Sequence, residues 1–283
     1  MLRKVTAAAA VLLVSTTLAN AAEINPAVVF DMGGKFDKSF NEGVFNGVEQ
    51  FKKETGTEYR EFEVTNETQR EQALRRMAQR GADPIIGVGF AQADALAKVA
   101  QEFPDTRFAI IDAVVDLPNV RSIVFKEHEG SFLVGMIAAM KSATGKVGFV
   151  GGMDIPLIRK FACGYEQGAK HVSGDTEVVQ NMTGTTPAAW NDPTRGAELA
   201  KSQFDRGVDV AAYKAFKDAH DGSWSAGIQD LGLADDGVGW ALDEHNKDLI
   251  TEDMKAKVEQ AAADIVAGKL QVHDYTADNS CSY

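Results

Sequence analysis

The chain has 283 residues, room for one large or two medium domains, and its 45% hydrophobic and 25% charged residues are an ordinary globular balance that excludes disorder and collagen-like repeats. Asp and Glu (41) outnumber Lys and Arg (29), and the net charge of −12 disfavours nucleic acid as a partner, because phosphate binding needs a basic face. Two cysteines are too few for a disulfide-scaffold mini-protein or a multi-cysteine zinc module.

The chain opens with Arg3 and Lys4, then a small and apolar run from Val5 to Leu18, then Ala19-Asn20-Ala21. This order of basic, apolar and small residues predicts a signal peptide over 1–21, cleaved near Ala21, and a periplasmic mature protein. The apolar run is shorter than the ~20 residues of a spanning helix. No Cys stands at the cleavage point, so a lipid anchor is not indicated. In an oxidising compartment Cys163 and Cys281 become candidates for a disulfide, with two unpaired thiols as the alternative.

The elements then alternate. Ala27–Asp31 reads as a buried strand, and Ser39 with Glu42 fits a capping box that opens a helix carrying Val44, Val48 and Phe51. Tyr59–Val64 reads as a strand, Glu67–Gln79 as a helix, Pro84–Val88 as a strand and Ala91–Glu102 as a helix. Strands at Phe108–Asp112 and Val120–Phe125 precede an apolar helix at Ser131–Lys141. A second series follows: strand Lys146–Val150, a helix through Tyr165, strand Glu177–Gln180 and helix Pro193–Phe204. The pattern predicts an α/β protein of two lobes, each a doubly wound, mostly parallel sheet. The boundaries are 22–125 plus a helix over 208–220 for the first lobe, and 126–207 with 221–283 for a reduced second lobe.

Ligands of such sheets bind beyond the carboxyl ends of the strands. Asp31 and Asp112 each close a buried apolar run, so both fall at one sheet edge. As ionised acids they would accept hydrogen bonds from a ligand rich in N–H or O–H groups. Phe40 could stack on a flat ring, and Asn41 can both donate and accept. The alternative is that the two acids cap turns and that Phe40 is core.

The stretch Val28–Gly47 (VVFDMGGKFDKSFNEGVFNG) resembles the opening of the basic membrane protein family, substrate-binding proteins of ABC importers related to purine nucleoside receptors. The resemblance continues through Ile85–Phe90, Phe108–Asp112, Gly145–Asp154, Phe161–Gly168 and Trp190–Pro193. It implies a two-lobed type I periplasmic-binding fold that closes on a purine nucleoside or base, with no cofactor and no catalysis. It places base-recognising residues at Asp31, Phe40, Asn41 and Asp112, with Phe90 and Met153 as further cleft-facing candidates. It also implies a membrane permease as partner, and a monomer is expected.

The sequence departs from the family after Arg206. There Phe204-Asp205-Arg206-Gly207 runs directly into Val208–Tyr213, which resembles a much later family segment. About fifty residues are absent by this reading, more than one βαβ unit of ~30 residues, and with them the residues that hold ribose in relatives. Asp243 is acidic but matches a different part of the family. A free base should therefore suffer less than a nucleoside. A non-transporting sensor or inactive remnant, and a simple-sugar-binding protein, remain as alternatives. The five histidines (His128, His171, His220, His245, His273) show no metal-ligand spacing, and no phosphate loop or nucleophile elbow occurs.

Overall fold

The computed structural model describes residues 24–37, 40–208, 210, 211, 227–242 and 246–281. The expected signal peptide over 1–21, most of the expected helix over 208–220, and Ser39, His220, Asp243 and His245 lie outside these residues.

The first sheet is built from β1 (Ala27–Phe30), β2 (Arg60–Glu63), β3 (Ile85–Val88), β4 (Phe108–Ile111), β5 (Val120–Phe125) and, later in the chain, β9 (Gly227–Leu231). Its order is β2-β1-β3-β4-β5-β9, and every pairing is parallel. A parallel strand in mid-sheet is covered on both faces, so β1 and β4 are apolar at every position and wholly buried. The edge strand β2 instead alternates half-buried and exposed residues.

Helix α1 (Phe40–Thr55) covers one face, setting Phe40, Val44 and Val48 on Val28, Phe30 and Val88. Helices α2 (Gln69–Gln79) and α3 (Ala93–Glu102) cover the other, where Leu74, Leu96, Val99, Ile85 and Ile110 are fully buried. The amino end of α1 is held by Asp37, whose carboxylate accepts from the N–H groups of Asn41 and Glu42, each at 3.1 Å.

After β5 the chain crosses into α4 (Glu127–Lys141) and builds the second sheet from β6 (Lys146–Met153), β7 (Glu177–Gly184) and β8 (Val210–Ala211), in order β7-β6-β8 and again parallel. Helix α5 (Pro156–Val172) packs against α4, α6 (Pro193–Asp205) lies on β6 and β7, and α7 (Glu252–Val266) packs on α4. Among the described residues no helix is long and apolar enough to cross a membrane.

Several expectations shift. Strands β6 and β7 run three and four residues past their predicted ends, because Gly151 and Gly152 interrupt the apolar run without ending the strand. A Cβ on Gly151 would come 2.4 Å from Met182 Sδ, and one on Gly152 would come 2.4 Å from Trp190 Cζ3. These glycines mark close approach, not a turn. Residues 227–231, expected in the second lobe, form β9 and complete the first sheet by pairing with 121–125. Val210–Ala211, expected to be helical and in the first lobe, is the edge strand of the second sheet, held by pairing with Val147 and Gly148.

The cysteines pair: Cys163 on α5 and Cys281 are bonded, with Cα atoms 5.5 Å apart across 118 residues. The same tail is fixed by Gln167, which donates to His273 O at 2.9 Å and accepts from His273 N at 2.7 Å.

The α4–α5 contact depends on missing side chains. A Cβ at Gly168 would stand 1.8 Å from Phe132 O, and one at Gly135 would stand 2.0 Å from Tyr165 O. Gly168→Ala should therefore cost about 1–3 kcal/mol through forced helix separation. Gly47→Ala, at an open position on α1, should stabilise by about 0.5–1 kcal/mol. Urea denaturation of both variants checks the pair; equal shifts would contradict the packing argument.

Candidate functional site

The register of the first sheet puts three residues in a row. Phe30 stands level with Val88, and Val88 with Ile111, so Asp31, Gly89 and Asp112 each come one residue past the same line at the carboxyl edge. Neighbouring strands are ~4.8 Å apart, so the two acids start roughly 10 Å from each other with β3 between them. At the middle position Gly89 (φ 98°) turns the chain out of β3 into a 3-10 turn, Phe90–Gln92. A Cβ there would lie 3.2 Å from Asp31 Oδ2 and 3.6 Å from Phe40 Cε1. The lack of a side chain at Gly89 leaves a small hollow bordered by the Asp31 carboxylate and the Phe40 ring, with Asp112 at the end of the next strand.

Each predicted residue can now be placed. Asp31 Oδ1 accepts from Arg70 Nε at 3.1 Å and lies 3.0 Å from Arg70 Nη2, while Oδ2 takes no hydrogen bond among the described residues. Phe40, at the start of α1, packs on the sheet as its core reading expects, and its ring borders Gly89. Asn41 is 3% exposed, with its amide directed to protein: Oδ1 accepts from Asp31 N at 3.2 Å, and Nδ2 donates to Asp37 Oδ2 at 3.1 Å. It fixes the backbone under Asp31.

Phe90 reaches the other side of the cleft, its ring centroid 6.5 Å from that of Trp190. Trp190 belongs to the 3-10 turn Pro187–Asn191, lies over Gly152 and is half exposed. Met153 ends β6 beside Gly152 and is half-buried.

Asp112 differs in kind from Asp31. Its backbone is left-handed (φ 66°), a region Asp tolerates, and its N–H donates to Ile123 O at 2.9 Å. Its Oδ1 is enclosed without a hydrogen-bond partner, although the residue as a whole is only half-buried. Burial, then the Glu127 carboxylate, push its pKa up to about 8, with Lys160 acting in the opposite direction. At neutral pH Asp112 is largely a neutral acid that can donate as well as accept.

The two acids were expected to be equivalent acceptors. The structure separates them, because one meets a guanidinium and the other an enclosed wall.

Behind Asp112 lies the crossover to the second sheet. Lys160 of α5 donates to Phe125 O at 2.8 Å and pairs with Glu127 at 2.9 Å and Asp274 at 3.3 Å. Burial alone would push the Lys160 pKa down, but these two carboxylates outweigh it and raise it, so the ammonium is firmly charged. Buried His128 is pushed down to about 4, chiefly by burial. A second crossover is tied to the first, with Lys126 N donating to Leu231 O and Leu233 N to Glu129 Oε2, both at 2.8 Å.

Arg70 and Trp190 were not singled out as site residues. Arg70 is one of several arginines in a basic helix, and only the fold brings it to Asp31. Trp190 did fall in the quoted Trp190–Pro193 motif, which was a usable signal. Among the described residues no cluster of three or more His, Cys, Asp or Glu could hold a metal ion.

The shifts at Asp112 and His128 have opposite signs in stability. Asp112 is raised from 3.8, so its contribution is present below about pH 4 and is lost as pH rises through about 8. His128 is lowered from 6.5, so its contribution is present above pH 6.5 and is lost as pH falls through about 4. Between pH 6.5 and 8 only Asp112 of the two should slope, by on the order of 1–2 kcal/mol after allowance for solvent screening. Asp112→Asn should flatten that limb and leave the acid-side loss in place. Denaturation midpoints across pH 4–9 check this, and an unchanged decline above pH 6.5 would contradict it.

Comparison with known proteins gives the family and the fold. Residues 24–221 match the Bmp family, described as ABC transporter substrate-binding protein PnrA-like. An uncharacterized lipoprotein of Pyrococcus abyssi is 32% identical over 288 residues, covering 80% of this chain and 71% of its own. Eighty percent of 283 is about 226, and 288 less 226 leaves about 62 positions that the relative fills and this chain does not. The ABC transporter nucleoside-binding protein BmpA of Lactococcus lactis is 32% identical over 193 residues, 66% of this chain and 54% of its own. The crystal structure of an ABC transporter solute-binding protein from Aeropyrum pernix K1 matches with a TM-score of 0.68 and 25% identity, over 88% of this chain and 92% of its own. The fold is the type I periplasmic-binding fold, and the chain belongs to the Bmp family of ABC transporter substrate-binding proteins.

Proposed function

We propose that this protein is the extracytoplasmic receptor of an ABC importer and that its ligand is a purine base, with the nucleoside bound more weakly. The observation that carries the reading is the meeting of Asp31 Oδ2 and the Phe40 ring at Gly89. A flat heterocycle over Gly89 can stack on Phe40, donate N–H to Asp31 and exchange a hydrogen bond with Asp112. Asn41 holds the Asp31 backbone in place for this contact. Phe90 with Trp190, and Met153 beside Gly152, supply apolar cover from the two sides of the cleft.

Nothing among the described residues of the second sheet replaces the ribose-holding residues implied by the family resemblance. The sequence reading puts their loss after Arg206, and the Pyrococcus abyssi relative fills about 62 aligned positions that this chain does not. This favours base over nucleoside. The mature protein is read as periplasmic, released from a signal peptide over 1–21. It works as a monomer that delivers its ligand to a membrane permease, with no nucleic acid partner and no catalytic step. Ligand stabilises the closed form in proportion to its preference for that form over the open one.

A second reading, a non-transporting sensor or remnant, draws on the roughly 62 aligned positions that the Pyrococcus abyssi relative fills and this chain does not. A thermal-shift screen of the full chain against purine bases, nucleosides and simple sugars tests both. Stabilisation by bases above nucleosides supports the proposal. A response confined to pentoses would overturn it, and silence to every solute would favour the remnant. Stacking contributes about 1–3 kcal/mol and a hydrogen bond to a charged group about 1.5–3 kcal/mol. Phe40→Ala and Asp31→Asn should each therefore weaken base binding about ten- to a hundredfold by calorimetry.

A further inference from the structure

We infer that Arg70 decides which purine the hollow accepts, by filling one oxygen of Asp31 and so selecting a base with one N–H donor on its edge over a base with two. The inference rests on the base-binding reading above.

Arg70 is the second residue of α2 and is 8% exposed. Its Nε and Nη2 lie 3.1 and 3.0 Å from the same oxygen, Asp31 Oδ1. A carboxylate has about four lone-pair sites, two on each oxygen. The guanidinium donates one hydrogen bond to Oδ1, from Nε, and holds its charged Nη2 beside the same oxygen. Oδ2 remains, facing Gly89 and Phe40.

Hypoxanthine offers one N–H on its pyrimidine edge, with a C–H beside it. Guanine offers the same N–H and a 2-amino group, and that pair of donors needs both carboxylate oxygens side by side. With Oδ1 occupied, the 2-amino group would meet the guanidinium, another donor, and would lose its water without gaining an acceptor. Oδ2 alone can satisfy the single donor of hypoxanthine. Arg70 thus acts through Asp31 as a positioning residue, and its effect falls on the ratio of the two affinities more than on either one.

The test is competition calorimetry of hypoxanthine against guanine on the full chain, repeated on Arg70→Met and Arg70→Lys. The wild-type protein should prefer hypoxanthine by about tenfold or more. Arg70→Met removes the guanidinium from Oδ1 and should move the ratio toward guanine by at least about tenfold. Arg70→Lys, which aims a single N–H at Oδ1, should fall between. A merely structural role for Arg70 would lower both affinities together and leave the ratio fixed.

If Arg70→Met does not melt cooperatively, the wild-type preference and the Arg70→Lys ratio still decide the matter. A wild-type preference for guanine, or a ratio unchanged in the variants, would overturn the inference while leaving base binding intact. Absence of any purine binding to the wild-type chain would overturn the base-binding reading and this inference with it.

Discussion

The parallel register of the first sheet is the constraint on which the rest depends. In a parallel sheet every strand ends at the same edge, and one residue of slip would turn each side chain to the opposite face. Because β1, β3 and β4 are adjacent and level, Asp31, Gly89 and Asp112 arrive together although 58 and 23 residues separate them along the chain. That arrangement depends on unbroken apolar strands. A polar residue inside β1 or β4 would have to find a partner between two helical layers, and the cost of an unpaired buried group would oppose the pairing that aligns the edge. The buried amide of Gln92 meets this cost only in part, because its Oε1 has no hydrogen-bond partner among the described residues. It is fully enclosed, and its Nε2 donates to the carbonyls of Val29 and Val88, tying β1 to β3 just below the hollow.

The first lobe was legible in the sequence because its signals are local. Runs such as AVVF and FAII can be little other than doubly covered strands, and the acids that end them are visible as the first charge after an apolar run. What could not be read depended on contacts remote in sequence. Arg70 meets Asp31 across 39 residues, and nothing in the run QREQALRRMAQ distinguishes it from Arg75, which pairs instead with Glu71 and Glu102. The place of β9 was missed because GIQDL is a weak, partly polar strand. Its identity comes from pairing with β5, not from its own composition. The protonation of Asp112 was also hidden, since it follows from enclosure and from Glu127, neither of which has a signature in the chain.

The second sheet is held by ties of its own. Among the described residues its three strands are covered by α4 and α5 on one face and by α6 on the other. Gln203 helps hold α6 in place: it is 1% exposed, and its Nε2 reaches Phe149 O, Val179 O and Asn181 Oδ1 at 3.0–3.1 Å. The disulfide and the Gln167–His273 amide pair add a covalent and a polar tie from α5 to the tail. None of these ties reaches the hollow at Gly89, which is built wholly on the first sheet and its helices. The acid and aromatic groups of the first lobe keep their geometry.

That division gives the two acids at the edge different work. Asp31 stands beside a guanidinium that it cannot leave without stranding a buried charge, so its free oxygen is a fixed acceptor. Asp112 has no such partner, and the nearest charges behind it are Glu127 and Lys160, which act on it in opposite senses. A ligand N–H brought to Asp112 would supply the stabilisation that the protein withholds from its anion, and would favour ionisation there. A ligand acceptor brought to the same atom would keep the proton in place. The edge thus offers one rigid acceptor and one group that adapts its polarity to what it meets. The adaptable one stands within the electrostatic reach of Glu127 and Lys160, and Lys160 in turn donates to the last carbonyl of β5.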